Sequence, residues 1–176
     1  ALFVDRFDRA LVIGLGTGTT LDTVAAYPFA NVEIAEISPS IVRAARAHFG
    51  HVRAARLGDP RVRLHLADGR NHLLVSDRRY DLVAIELTSV WFAGAAALYS
   101  REFYQLVRAR LSERGVLEQW IQLHHITAQD LATVLATLRA EFAHVALFYG
   151  GGPGVLGAAH DPLIAPRPPP PAPRAP

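Results

Sequence analysis

Apolar and polar positions alternate along the chain in blocks that predict β-strands and α-helices in turn. Short apolar runs bounded by glycine, proline or aspartate predict buried strands, and longer blocks with apolar residues three or four positions apart predict helices. Proline or glycine follows several of these blocks and marks their ends. We expect strands at 11–13, 32–37, 61–67, 80–87, 116–123, 144–149 and 155–159, and helices at 19–27, 39–49, 101–114 and 128–142, with a short helix ending at residue 74.

Strands that alternate with helices predict a doubly wound, mostly parallel sheet with right-handed crossovers. The run 80–87 is almost wholly apolar, so it belongs in mid-sheet, whereas 61–67 alternates between apolar and polar side chains, so it belongs near an edge. The glycine-rich turn at 150–154 reverses the chain, so the last strand should run antiparallel. This is the layout of a Rossmann-like, methyltransferase-type α/β fold.

A glycine-rich turn follows the first strand and carries the clearest functional signal. Gly14, Gly16 and Gly18 form a G-x-G-x-G pattern that opens the first helix. The third glycine comes one residue earlier than in the dinucleotide fingerprint, and the shorter form is typical of S-adenosylmethionine-type nucleoside binders. Glu36 ends the second strand about 20 residues later, where a carboxylate that binds ribose hydroxyls is expected. A glycine turn of some other α/β protein is the alternative.

Three carboxylates end parallel strands and should therefore share one rim of the sheet. Glu36 is expected to accept from ribose hydroxyls, or else to be an exposed helix-cap acid. Asp68 is expected to accept from an adenine amino group beside Gly69, or to be a helix N-cap. Glu86 follows a buried strand, so burial would raise its pKa toward the range of a general base. The alternative for Glu86 is a strand-end acid bonded to nearby backbone.

Composition removes several classes of chemistry. The chain has 176 residues, with no Cys and no Met, and all 18 basic residues are Arg. Disulfides, thiolate metal sites, a cysteine nucleophile and Schiff-base lysine chemistry are thereby excluded. The arginines are scattered, so we expect no nucleic-acid partner. His124 and His125 are adjacent on a predicted strand and would face opposite ways, so we expect no metal site.

The length and the C-terminal composition predict one domain and a tail. We expect a single nucleoside-binding domain over residues 1–160, followed by a Pro-rich disordered tail at 161–176. No apolar run is long enough for a transmembrane helix, and early charges argue against a secretory signal, so we expect a cytoplasmic protein. Since the sequence does not begin with Met, we also expect an excised piece of a longer chain.

Five segments together resemble the spermidine synthase (polyamine aminopropyltransferase) family, in particular its bacterial spermidine synthase-like branch, whose domain is often joined to a membrane-transporter-like region. They are LVIGLGTGTT, VEIAEISPSIV, DPRVRLHLADGRNHLL, YDLVAIE and WFAGAAALYSREFYQLVRARLSERGVLEQW, in one unbroken order within residues 1–149. The stretch 93–115 is the most specific, because generic methyltransferases lack it. The family's N-terminal β region is absent from this sequence.

The resemblance implies an aminopropyltransferase of polyamine biosynthesis that uses decarboxylated S-adenosylmethionine as co-substrate, a small-molecule amine as acceptor and no metal. It places Glu86 at the position of the catalytic acid, and it leaves a homodimer and attachment to a membrane region open. Thr17 and the stretch 86–90 depart from the family's usual acidic residues. Two alternatives therefore stay open: a methyltransferase that uses intact S-adenosylmethionine on a small molecule, and a non-catalytic nucleoside-binding domain.

Overall fold

The structure is a computed structural model that describes residues 3–50, 54–86, 94–121, 123 and 126–148, together with the backbone of 154–159. The described strands form one sheet around which every other element is arranged. The strands are β1 (Arg9–Ile13), β2 (Asn31–Glu36), β3 (Val62–Leu66), β4 (Tyr80–Ile85), β5 (Leu111–Ile121), β6 (His144–Phe148) and β7 (Gly154–Ala159).

The strand order is β3-β2-β1-β4-β5-β7-β6. The pairs β1–β2, β1–β4, β2–β3 and β4–β5 are parallel, and β7 is antiparallel to both β5 and β6. Chain order reverses between β1 and β4, which is where ligands bind in open α/β sheets. The expected doubly wound sheet with one antiparallel strand is confirmed. So are the edge position of β3 and the central, wholly buried position of β4.

Five α-helices connect the described strands, and two of them begin at side chains that cap the helix. Ser38 caps the second helix by accepting from the backbone N–H of Ile41 at 3.4 Å, and a proline follows at the first helical position. Thr127 and Asp130 form a reciprocal capping box at the last helix. The helices are α1 (Thr19–Ala25), α2 (Pro39–Phe49), α3 (Gly69–Val75), α4 (Arg101–Arg110) and α5 (Ala128–Glu141).

The helices cover the two faces of the sheet and bury two apolar clusters. On one face α1 and α2 pack their apolar side chains onto β1, β2 and β4. On the other face α3, α4 and α5 cover β1, β4 and β5, with Phe103, Tyr104 and Val107 of α4 completely buried. Since both faces of the central strands are covered, these strands are apolar without alternation, as parallel strands are in doubly wound folds.

The sequence prediction was wrong about where α4 ends and β5 begins. The helix stops at Arg110 rather than at residue 114, and β5 starts at Leu111 rather than after Gly115. Leu111 pairs with Tyr80, and the register of β5 against β4 shifts between there and Leu82. A Cβ on Gly115 would lie 2.6 Å from the carbonyl oxygen of Tyr80, so this glycine permits the shift. Pairing with a neighbouring strand thus outweighs the local helical pattern.

Candidate active site at the carboxyl edge of the sheet

The glycine turn leaves β1 with backbone angles that favour glycine. Gly14, Gly16 and Gly18 have φ values of 94°, 51° and 88°, in the left-handed region that other residues resist. The N–H of Gly14 donates to the carbonyl of Ala35 at 2.9 Å, which ties the turn to β2. A Cβ at Gly14 would lie 2.7 Å from the carbonyl oxygen of Glu86. Gly14 is therefore required both by its conformation and by the close approach of the end of β4.

Glu36 is held beside this turn by two backbone amides. Its Oε2 accepts from the N–H of Leu15 at 2.9 Å, and its Oε1 accepts from the N–H of Ser38 at 2.8 Å. The residue is buried, with 6% of its surface exposed. It is therefore not the exposed cap acid of the alternative interpretation. A carboxylate offers about four acceptor positions, so each oxygen keeps acceptor capacity that can face the cavity.

Asp68 and Gly69 begin α3 across the cavity from the turn. Asp68 caps the helix, with its Oδ1 accepting from the N–H of Asn71 at 2.8 Å. The N-cap interpretation of Asp68 is thus correct, and it is compatible with a second acceptor role toward a ligand. Gly69 is buried, and a Cβ there would collide with the side chain of Ile13. The glycine is therefore needed for packing of α3 on β1, a constraint that the sequence analysis did not identify.

Glu86 follows β4 directly and is partly buried. Its backbone N–H donates to the carbonyl of Ile13 at 2.9 Å. The hydroxyl of Thr20, in the first turn of α1, donates to its Oε2. Burial raises the pKa of Glu86 above its usual value, and the nearby Glu118 carboxylate raises the pKa further. Glu118 lies on β5 opposite Ala84. Its closeness to Glu86 follows from the strand register, which the sequence alone does not give.

These residues line one cavity of about 360 Å³ at the carboxyl ends of β1, β2 and β4. Six of the seven predicted site residues line it, and Gly18 instead caps α1 directly behind the turn. The described lining contains three carboxylates and no basic side chain, so the cavity favours a cation. The lining comprises Ile13, Gly14, Leu15, Gly16, Thr17, Thr19, Thr20, Ala35, Glu36, Ile37, Ile41, Asp68, Gly69, Glu86 and Leu98.

An apolar wall on one side of the cavity was missed by the sequence analysis. Ile37 and Ile41 line the cavity although 68% and 40% of their surfaces are exposed. Large aliphatic residues left exposed beside a cavity are typical of a surface that packs against a flat apolar ligand group. The signal for this wall in the sequence was Ile37, which directly follows the strand-end carboxylate Glu36.

A larger cavity of about 810 Å³ lies at the opposite, amino edge of the sheet. Its buried acid, Asp81, already accepts from the backbone N–H groups of Asp8 and Arg9 at 2.8 and 3.2 Å and from the Ser112 hydroxyl at 2.6 Å. The carboxylate of Asp81 on β4 thus binds the start of β1 and the start of β5. Because ligands of open α/β sheets bind at the carboxyl edge, the smaller cavity is the candidate active site.

Several positions considered in the sequence analysis lie outside the described residues. They include the loop at 87–93 that follows Glu86, the pair His124 and His125, and the C-terminal segment from residue 160 onward. Within the part of the chain that the structure describes, no helix is long and apolar enough to cross a membrane.

The fold of this chain is a Rossmann-like, methyltransferase-type α/β fold. Comparison with known sequences then gives the family: the chain belongs to the spermine/spermidine synthase domain family, whose model matches residues 2–155. A polyamine aminopropyltransferase of Nitrosomonas europaea is 35% identical over 138 residues, which cover 78% of this chain and 42% of the relative. One from Korarchaeum cryptofilum is 27% identical over 141 residues, covering 80% and 44%.

Solved structures confirm the fold. A spermidine synthase in complex with the transition state analogue AdoDATO aligns with a TM-score of 0.83 at 20% identity, covering 91% of this chain and 57% of that one. Human methyltransferase-like protein 13 in complex with SAH aligns with a TM-score of 0.72 at 23% identity, covering 92% and 75%. The chain spans less than half the length of the two curated relatives above.

Proposed function

We propose that this domain binds decarboxylated S-adenosylmethionine and transfers its aminopropyl group to an amine. The observation that carries the proposal is the charge of the cavity: Glu36, Asp68 and Glu86 line it, without a basic side chain among the described lining residues. The donor is a sulfonium with an ammonium-bearing chain, and the acceptor amine is cationic before it reacts. Carboxylates attract and orient both substrates.

The nucleoside portion fits the half of the cavity formed by the turn, β2 and α3. The remaining acceptor positions of Glu36 suit the two ribose hydroxyls, since its bonds to Leu15 and Ser38 leave capacity on both oxygens. Asp68 suits the adenine amino group, and Ile37 and Ile41 suit the face of the base. Family membership and the AdoDATO complex of the related fold support this placement.

The charge of the cavity also favours the decarboxylated donor over intact S-adenosylmethionine. The intact donor carries a carboxylate, which needs a cationic or N–H partner when it leaves water. The described lining provides hydroxyls from Thr17, Thr19 and Thr20 but no arginine or histidine, and Glu86 would repel a carboxylate close to it. An aminopropyl chain that ends in an ammonium group has the opposite charge and meets attraction instead.

The reaction is a direct displacement in which Glu86 acts as the general base. Its carboxylate takes a proton from the ammonium form of the acceptor, and the freed lone pair forms the new C–N bond at the carbon next to sulfur. The C–S bond breaks and its electron pair stays on sulfur, which leaves neutral 5′-methylthioadenosine. A raised pKa suits Glu86 to this role, because a base is most effective when its pKa lies nearer the working pH.

Calorimetry with both donors tests the proposal. Tight binding of the decarboxylated donor and weak binding of intact S-adenosylmethionine are expected, together with release of 5′-methylthioadenosine when an amine acceptor is added. Preference for the intact donor would instead indicate a methyltransferase. Failure to bind either donor or 5′-methylthioadenosine would indicate that this domain does not bind an adenosyl nucleoside.

A further inference from the structure

A second polar cluster surrounds Glu33 in the middle of β2, on the face covered by α3. The Glu33 side chain is completely buried, and two guanidinium groups contact its carboxylate. Arg9 Nη1 donates to Oε1 at 2.9 Å, and Arg78 Nη1 donates to Oε2 at 2.7 Å. Burial alone would raise the pKa of Glu33, but the Arg9 hydrogen bond and the Arg78 charge outweigh it and lower the pKa.

Two histidines meet the same carboxylate oxygen. The Nε2 atoms of His65 and His72 each lie 3.2 Å from Glu33 Oε2, and the centroids of their rings are 4.4 Å apart. The hydroxyl of Tyr80 lies 3.4 Å from both Oε2 and His72 Nε2. The contact of His65 lacks hydrogen-bond geometry, and its Nε2 atom is buried. The single negative charge of Glu33 therefore faces two guanidinium cations. His65, His72 and Tyr80 lie around the same carboxylate oxygen.

The positions of the two histidines connect this cluster to the active site. His65 lies on β3 and His72 lies on α3; the turn between these elements contains Asp68, and Gly69 begins α3. A single oxygen atom of Glu33 thus contacts the strand before the turn and the helix after it, with a hydrogen bond to His72 and a close contact with His65. These two contacts lie behind the Asp68–Gly69 wall of the cavity, the wall that is proposed to face the adenine base.

The combination of one carboxylate and two histidines resembles a metal site, since their ligand atoms lie within 4.8 Å of one another. The surrounding charge opposes that interpretation. Arg9 and Arg78 already place two positive charges against the single negative charge of Glu33, so a divalent cation would enter a buried site that has a net positive charge. Burial, together with the nearby positive charge of Arg78, makes protonation of His65 unfavourable.

We infer that Glu33, His65 and His72 form a pH-sensitive latch, which positions the Asp68–Gly69 wall for nucleoside binding while His65 is neutral and releases it when acidification protonates His65. The inference rests on the proposed nucleoside function. These three are positioning residues, because none of them lines the cavity. Protonation of His65 places a charge on a partly buried ring near the Arg78 guanidinium, and the cost of burying that charge favours separation of β3 from β2.

Every element packed around the latch bears on its titration. Burial lowers the pKa of His65, with His72 and Arg78 acting in the same direction and Glu33 opposing them. The folded protein therefore binds fewer protons than the unfolded chain as pH falls below about 6.5, and stability is lost in that range. The titratable and charged groups around the cluster are Arg9 of β1, Glu33 of β2, His65 of β3, His72 of α3, Arg78 before β4 and Tyr80 of β4, and Arg63 of β3 lies opposite Glu33 in the strand register.

The test uses 5′-methylthioadenosine, a neutral nucleoside with no ionisable tail to interact with Glu86. We expect its affinity for the unmodified protein to weaken about five- to tenfold between pH 7.5 and 5.5, at the lower end of typical couplings between two linked equilibria. The double variant His65→Gln, His72→Gln should bind within about twofold of the unmodified protein at pH 7.5 and lose most of the pH dependence. His48→Gln, at an exposed histidine of α2 outside the cluster, is the matched control and should keep the full dependence.

Urea unfolding at both pH values provides a readout that does not need a ligand. The unmodified protein and His48→Gln should lose stability on acidification, and the double variant should lose less. Unchanged pH dependence in the double variant would overturn the latch. So would stabilisation by Zn²⁺ at pH 7.5 that disappears in the double variant, because the cluster would then be a metal site. Absence of nucleoside binding at every pH would refute the proposed function, and the urea measurements would still decide the latch.

Discussion

Replacing Glu86 by glutamine should separate catalysis from nucleoside binding. Glutamine keeps the size of the side chain and an oxygen that can accept from Thr20, so the hydrogen bond at α1 survives. It cannot take a proton from an amine. Loss of a general base typically costs about 10²- to 10⁴-fold in rate, which is about 3 to 5 kcal/mol of activation free energy. The affinity for 5′-methylthioadenosine should change by less than about 1 kcal/mol, the scale of one hydrogen bond.

The same substitution should make the protein more stable at neutral pH. Burial, and then the charge of Glu118, raise the pKa of Glu86 in the folded state above the usual value of 4.5. The folded protein thus holds a proton that the unfolded chain has already released, and the free energy of unfolding falls as pH rises through this range. Glutamine has no proton to lose. The stability advantage of Glu86→Gln over the unmodified protein should therefore grow from pH 4 to pH 8.

Steady-state release of 5′-methylthioadenosine, measured across pH with an amine acceptor, is the assay. The unmodified protein should lose activity toward acid as Glu86 becomes protonated. The matched variant Glu118→Gln removes the neighbouring charge, so it should keep turnover and shift this loss to lower pH. Retained turnover in Glu86→Gln, or lower stability of that variant at pH 8, would refute the assignment of Glu86 as a desolvated base.

Three further substitutions test the structure around the site. Gly14→Ala forces a positive φ on alanine and places its Cβ against the carbonyl of Glu86, so urea unfolding should show a loss of at least about 1–3 kcal/mol. Glu36→Gln weakens a charge-assisted contact with the ribose, and calorimetry should show nucleoside binding weaker by about 1.5–3 kcal/mol. Tyr104→Phe removes the hydroxyl that donates to buried Gln119 at 2.8 Å, so stability should fall by about 1–3 kcal/mol while the KM for the donor stays unchanged.

Local sequence patterns predicted the elements that precede the site. The apolar run before Gly14 could only be a buried strand, and three closely spaced glycines after it predicted a turn with positive φ angles. Ser38 before a proline, and Thr127 three residues before Asp130, are local start signals of this kind, and both cap helices in the structure. These signals are readable because each depends on residues within a few positions of one another, where backbone conformation and capping are decided.

The placement of three carboxylates at one rim was also predictable, because parallel strands have their carboxyl ends at the same edge. What no local pattern contains is the lateral arrangement of the sheet. The start of β5 at Leu111 depends on pairing with Tyr80. The raised pKa of Glu86 depends on its burial and then on Glu118 of β5, and the latch depends on β3 and α3 meeting one buried carboxylate.

The sequence by itself therefore determined the element order, the glycine turn and the identity of the acids at the strand ends. Only the tertiary structure decided which charges face one another, that Gly69 is needed for packing on Ile13, and that Glu33 lies buried between arginines and histidines. The physical reason is the separation in sequence between the residues on which each property depends. Backbone conformation is set by neighbours in sequence, whereas burial and Coulomb interactions are set by neighbours in space. Here such neighbours include Leu15 and Glu36, 21 residues apart, and Thr20 and Glu86, 66 residues apart.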